Sequence, residues 1–215
     1  MDDKTLRQMV IDELDFEPSV DAAHIGVAVE NGVVTLSGHV DTYAEKIAAE
    51  HAAQRVKGVG GIAEEIEVRR RGSHPLGDDE IAKRCLDVLA WDALLPKDAV
   101  QVKVERGFVQ LCGKVKWQFQ REAAEKRVRK LTGVIGVCNQ VEVKTEVRAV
   151  YVKERIEAAL RRNALVEANA IRVLVEEDQV TLEGKVQAWP ERVAAAKAAW
   201  SAPGVNSVID NLRVA

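Results

Sequence analysis

Apolar and polar positions alternate along Val33-Val34-Thr35-Leu36-Ser37-Gly38-His39-Val40, which puts Val34, Leu36 and Val40 on one side. A period of two is the mark of a strand with one buried face. The same pattern returns at Phe108-Val109-Gln110-Leu111-Cys112-Gly113-Lys114-Val115 and at Gln179-Val180-Thr181-Leu182-Glu183-Gly184-Lys185-Val186. In each copy a second glycine follows 20 residues after the first, at Gly58, Gly133 and Gly204, and a valine follows it. A period of roughly 70 residues implies three small domains in tandem.

The positions around this stretch complete the unit. Leu6, Val10 and Leu14 lie four apart, one stripe of an amphipathic helix that Thr5 or Asp3 can cap. Pro18 ends the helical register. Ile25, Val27 and Val29 alternate with small residues as a first strand, and Asn31-Gly32 is a two-residue hairpin signal leading into the second. Gly38 has inward parity, where the missing side chain would let a helix come close. A second helix over 43–57 presents Ala49, Ala53 and Val56, with Gly58 as a left-handed cap. Ile62, Ile66 and Val68 mark a third strand. The second copy repeats this with Ile81, Cys85 and Leu89, then Val100, Val102 and Val104, and the third with Val152, Ile156 and Leu160, then Ile171, Val173 and Val175.

The pattern therefore predicts an α/β (α+β) protein of three tandem αββαβ domains. Each has a three-stranded mixed sheet with two helices on one face and the other face polar and open. The expected boundaries are 1–70, 78–145 and 146–215. A charged, Gly- and Pro-containing linker lies at 71–77, just after Arg69-Arg70-Arg71 begins. The arginine run reads as solvated, with phosphate contact as the alternative. The third copy has almost no linker, which predicts a tighter joint between the last two domains than between the first two.

Composition adds limits. Of 215 residues 47% are apolar and 30% charged, as in an ordinary soluble domain, and the net charge of -3 argues against nucleic acid as a partner. No apolar run approaches the ~20 residues of a membrane-spanning helix. The N-terminus has no basic start followed by an apolar run, so the expected location is the cytoplasm, or the periplasm if a leader has been removed. The three cysteines, Cys85, Cys112 and Cys138, all fall in the second copy, without metal-ligand spacing. Cys85 is on the core stripe. Cys112 and Cys138 have outward parity and read as free thiols, with mutual oxidation as the alternative.

The Leu-x-Gly-x-Val strand, the alanine-rich helix and the closing run Gly133-Val134-Ile135-Gly136-Val137-Cys138-Asn139-Gln140-Val141-Glu142-Val143 resemble the BON domain, named for bacterial osmotically inducible and nodulation proteins. The third copy has Asp210 where Asn139 stands, and the first has Glu64. The resemblance covers nearly the whole chain. It implies a non-enzymatic binding module of phospholipid surfaces or envelope components, linked to osmotic or general stress and needing no cofactor. It also leaves open a protein-interaction or chaperone-like scaffold, or sensing of a monovalent cation through backbone carbonyls.

No catalytic constellation is evident. His24, His39, His51 and His74 lack metal spacing, and the carboxylates are scattered beside Lys or Arg. Gly58-Val59-Gly60-Gly61 lacks the Gly-Lys-Ser/Thr ending of a phosphate loop. The strongest local surface is basic: Lys114, Lys116, Arg121, Lys126, Arg127, Arg129 and Lys130, with Trp117 and Phe119 near its start. Such a segment suits docking to anionic phospholipid. Nucleic acid is the other ligand such a segment could take, and an ordinary charged helix face, with Phe119 tucked into the core or a domain interface, is the competing reading.

Overall fold

The structure is a computed structural model that describes residues 2–69, 76–144 and 151–214. The central arginines of the expected linker, His74 and the segment 145–150 lie outside the described residues. The elements run α1 (Asp3–Phe16), β1 (Ile25–Glu30), β2 (Val33–Val40), α2 (Tyr43–Arg55) and β3 (Gly61–Val68) in domain 1. Domain 2 has α3 (Asp78–Ala90), β4 (Val100–Glu105), β5 (Phe108–Val115), α4 (Gln118–Val128) and β6 (Gly136–Val143). Domain 3 has α5 (Val152–Arg162), β7 (Ile171–Glu176), β8 (Gln179–Val186), α6 (Trp189–Trp200) and β9 (Ser207–Val214).

Each domain holds its own three-stranded sheet, with the second strand in the middle. The first pair is antiparallel and the second parallel, in the same register three times over: Leu36 opposite Val27 and Glu64, Leu111 opposite Val102 and Asn139, Leu182 opposite Val173 and Asp210. The predicted stripes form the cores. In domain 1, Leu6, Val10 and Leu14 of α1 pack with Ala49, Ala52 and Ala53 of α2 on Val34, Leu36 and Ile66. Alanine on α2 lets the helix lie close to the sheet. The other domains repeat this packing, with Cys85 fully buried among the core residues of domain 2.

Local details differ from the sequence expectations. Asp2, not Thr5 or Asp3, caps α1, accepting from Thr5 N at 2.9 Å. Asp3 instead accepts from Asn31 N and Gly32 N and fastens the hairpin turn, as Asp78 does for Arg106 and Gly107. α2 ends at Arg55, before Gly58. Gly58, with φ of 94°, is the third residue of a tight turn closed by Val59 N onto Val56 O, a position that needs a positive φ. Gly38 makes room for backbone rather than for a helix. Its φ is 117°, and an added Cβ would collide with the carbonyl oxygen of His24, in the turn before β1.

The domains meet through their second helices. Tyr43, at the start of α2, packs against the core of domain 2, and its hydroxyl meets the Val137 backbone. One groove of that joint is lined by Lys46, Ile66, Glu67 and Val68 on one side and by Ile135, Gly136 and Val137 on the other. The equivalent residues meet again between domains 2 and 3, where Arg121, Val141, Glu142 and Val143 face Asn206, Ser207 and Val208. Helix α6 closes the circle. Trp189 donates its indole N–H to Val59 O of domain 1 at 3.0 Å and packs on that core, while Trp200 packs against the core of domain 2. A head-to-tail contact that closes on itself gives a ring. Domain 3 thus holds both of its neighbours, not domain 2 alone.

Candidate functional site

The seven basic residues divide among four places. Lys114 and Lys116, both exposed, line the groove between domains 2 and 3 together with half-buried Arg121. Lys126 and Arg129 line a second groove of about 670 Å³, where α4 faces Trp189, Val193 and Trp200 of α6 and His51 of α2. Arg127 turns the other way and pairs with Asp92 at 2.6 Å. Lys130 is exposed one turn beyond Lys126. The division follows from helix geometry: residues at 121, 126, 127 and 129 point in different directions around one axis.

The groove between domains 2 and 3 is the larger, about 1090 Å³. Its floor includes Trp200, and Lys144 adds a fourth cation, paired with Glu142 at 3.3 Å. Its other acid, Asp178, accepts from Asn206 Nδ2 at 2.6 Å. On the wall Arg121 Nη2 donates to Asn139 O at 3.1 Å, and Asn139 Nδ2 donates back to Arg121 O at 2.9 Å. The same helix-to-strand tie in the sister domains is an ion pair: Lys46 with Glu64 at 2.5 Å, and Arg192 with Asp210 at 2.8 Å. Domain 2 has an amide in place of the acid, and among the described residues no carboxylate pairs with Arg121.

At the far end of domain 2 an apolar tip follows α3. Trp91 is 89% exposed and Leu94 52%. Asp92 between them is buried. Its bond from the Arg127 guanidinium, and a second from Leu94 N, hold its carboxyl below the usual carboxylate range. Gln120 Nε2 donates to Leu94 O at 3.0 Å and pins the tip to the start of α4. The tip that carries Trp91 is thus tied to α4, where Phe119 is half exposed. Sequence reasoning missed Trp91. The signal was present, since Trp91 falls outside the Ile81, Cys85, Leu89 stripe.

The three remaining polar clusters are structural. Buried Glu191 accepts from Glu167 N and Gln187 N, Glu45 likewise accepts from Asp21 N and Asp41 N, and Gln120 accepts from Lys116 N while donating to Leu94 O. Burial pushes the Cys85 thiol up to about 11, far from a reactive thiolate. Cys112 lies opposite Gln140 and Cys138 opposite Gln110, two residues out of step on neighbouring strands. Standard strand spacings put their Cα atoms about 8 Å apart, beyond the reach of a disulfide. Both are free. Among the described residues no group of three or more His, Cys, Asp or Glu is arranged to hold a metal, and no helix is long and apolar enough to cross a membrane.

Three αββαβ units, each with its Leu-x-Gly strand in the centre and joined by their second helices, define a tandem α+β repeat protein. The chain belongs to the BON domain family: the family model matches residues 2–70, 77–145 and 150–215. It is 31% identical over 148 residues to the osmotically-inducible protein Y of Escherichia coli K12, an overlap covering 67% of this chain and 74% of that one. Among solved structures, it aligns over 98% of its length with CdsD, a structural protein of the type III secretion system of Chlamydia trachomatis, at 13% identity and a TM-score of 0.27. That match covers 92% of the CdsD chain.

Proposed function

We propose that the protein is a non-enzymatic binding module of the osmotic stress response that docks on anionic phospholipid surfaces through domain 2. The observation that carries this reading is the exposed Trp91–Leu94 tip, tied through the Asp92–Arg127 pair to α4, the helix that carries exposed Lys126 with Lys130 just past its end. An indole and a leucine held out in water gain free energy at the boundary of headgroups and acyl chains. Lysines nearby contribute about 1 kcal/mol each at an anionic surface. Lys126 and Lys130 are exposed, and no described residue pairs with either.

Family membership and the osmotically inducible relative support the stress role. The test is co-sedimentation with vesicles of phosphatidylcholine alone or with phosphatidylglycerol. Wild type should pellet with the anionic vesicles, while Trp91→Ala and the double variant Lys126→Glu/Lys130→Glu should stay largely in solution. Equal pelleting of all three proteins with the anionic vesicles would refute this docking surface, and failure of wild type to pellet would favour a protein partner held in the grooves of the ring.

A further inference from the structure

The groove between domains 2 and 3 differs from its counterpart between domains 1 and 2 in its charge: His39 and Asp41 of domain 1 are replaced by Lys114 and Lys116, and the helix cation has lost its acid. In domain 1 the helix cation Lys46 is neutralised by Glu64 on the third strand, and in domain 3 Arg192 is neutralised by Asp210. In domain 2 the strand position is Asn139, which meets Arg121 through an amide and a backbone oxygen only. The guanidinium keeps its full charge on the wall of the larger groove. Lys114 and Lys116 project into the same space from the end of β5, and no described residue forms an ion pair with either. Ser207 of domain 3 lines the same groove, its hydroxyl oxygen accepting from Gln179 Nε2 at 3.5 Å and its proton left to donate. The two acids of the groove are already engaged, Glu142 by Lys144 and Asp178 by Asn206.

We propose that this groove is a phosphate-group site, built from Arg121, Lys114 and Lys116 of domain 2 and closed by Ser207 of domain 3. Charge and donor geometry both favour a phosphomonoester. A guanidinium presents two parallel N–H groups to two oxygens, and two ammonium groups match a dianion better than a single negative charge. The hydroxyl adds one neutral donor. A ligand seated here touches two domains at once and ties them together. The site is separate from the Trp91 surface and does not rest on the membrane reading.

Asn139→Asp tests it by recreating the Arg192–Asp210 pair of domain 3 in domain 2. Because Asn139 Nδ2 also donates to Glu125 Oε2 at 3.1 Å, N139D is made in a Glu125→Gln background, which by itself should bind phosphate like wild type, and circular dichroism checks that the fold stands while the Arg121 charge is consumed internally. Titration calorimetry with inorganic phosphate should show saturable binding to wild type. Binding should weaken about tenfold or more in N139D, the loss expected when one charge-assisted contact goes. Lys114→Gln/Lys116→Gln should do the same by a second route, and Lys126→Glu/Lys130→Glu should bind phosphate like wild type. A parallel arm uses vesicles of phosphatidylcholine with phosphatidic acid, whose headgroup is a phosphomonoester. Binding sensitive to N139D in that arm alone assigns the site to a lipid headgroup, and in the soluble arm to a free phosphate compound. Absence of any binding sensitive to both N139D and the lysine pair, in both arms, overturns the proposal.

Discussion

Gly38, Gly113 and Gly184 sit at φ of 117°, 135° and 138°, and in each case the space of a Cβ is filled by a carbonyl oxygen, that of His24, Ala99 or Ala170. The repeated glycine is thus required twice over, by dihedral and by contact. Gly38→Ala should destabilise domain 1 by about 2–4 kcal/mol, combining backbone strain with a clash that only main-chain movement can relieve. Gly26→Ala, which meets mainly the Ser37 hydroxyl, should cost far less. Urea denaturation of both variants gives the comparison. The thiols give a second residue-level expectation. Cys112 and Cys138 should react with Ellman's reagent in the folded protein, and Cys85 only after denaturation, because burial keeps its proton on. Asp92 gives a third. Its carboxyl is more acidic folded than unfolded, so its stabilising effect is present above the ordinary carboxylate value of ~3.9 and is lost as pH falls through the lowered folded value. Arg127→Ala should remove most of that acid-side dependence and cost roughly 1–2 kcal/mol near neutrality, since a buried carboxylate loses its charged partner.

At the scale of elements, the second helix carries the information that distinguishes one domain from another. Its third residue is Glu45, Gln120 or Glu191, and each accepts from the backbone just before its helix. Glu45 and Glu191 also hold a backbone N–H of the loop after the first helix, where Gln120 donates to Leu94 O instead. Glu191→Ala should leave two backbone donors unsatisfied and cost about 2–3 kcal/mol. Glu191→Gln should recover only part of that stability, because its amide has one oxygen for the two backbone donors and would turn its NH2 toward Glu167 N or Gln187 N, where Gln120 meets the Leu94 carbonyl instead; thermal denaturation separates the two. Strands and helices were legible in the sequence because their burial follows short periods: Val34, Leu36 and Val40 alternate, and Leu6, Val10 and Leu14 recur every four. Asp3 was not legible as a hairpin fastener. It lies 28 residues from Asn31, and only the fold brings the two together. The basic segment was legible as composition but not as a surface. A run of seven cations says nothing about which pair internally, and Arg127 is drawn off by an aspartate 35 residues away.

The molecule as a whole is organised by α6. It carries tryptophan at both ends, Trp189 against domain 1 and Trp200 against domain 2, where the other second helices carry Tyr43 or Gln118 at the first of these positions and Gln54 or Arg129 at the second. The two large indoles make domain 3 the piece that closes the ring, and domain 1 is held to domain 3 by the Trp189 contact and its single indole hydrogen bond. Each domain keeps its own core, so breaking that contact should separate domains without unfolding them. Trp189→Ala should therefore leave the circular dichroism of the folded protein nearly unchanged while the radius of gyration in small-angle X-ray scattering increases. Tyr43→Ala should loosen the joint between domains 1 and 2 in the same way, and the double variant should expand more than either alone, because in a closed ring each remaining joint restrains the other. Scattering profiles that stay superimposable with wild type for all three variants would mean that the ring is held by contacts other than these aromatic ones.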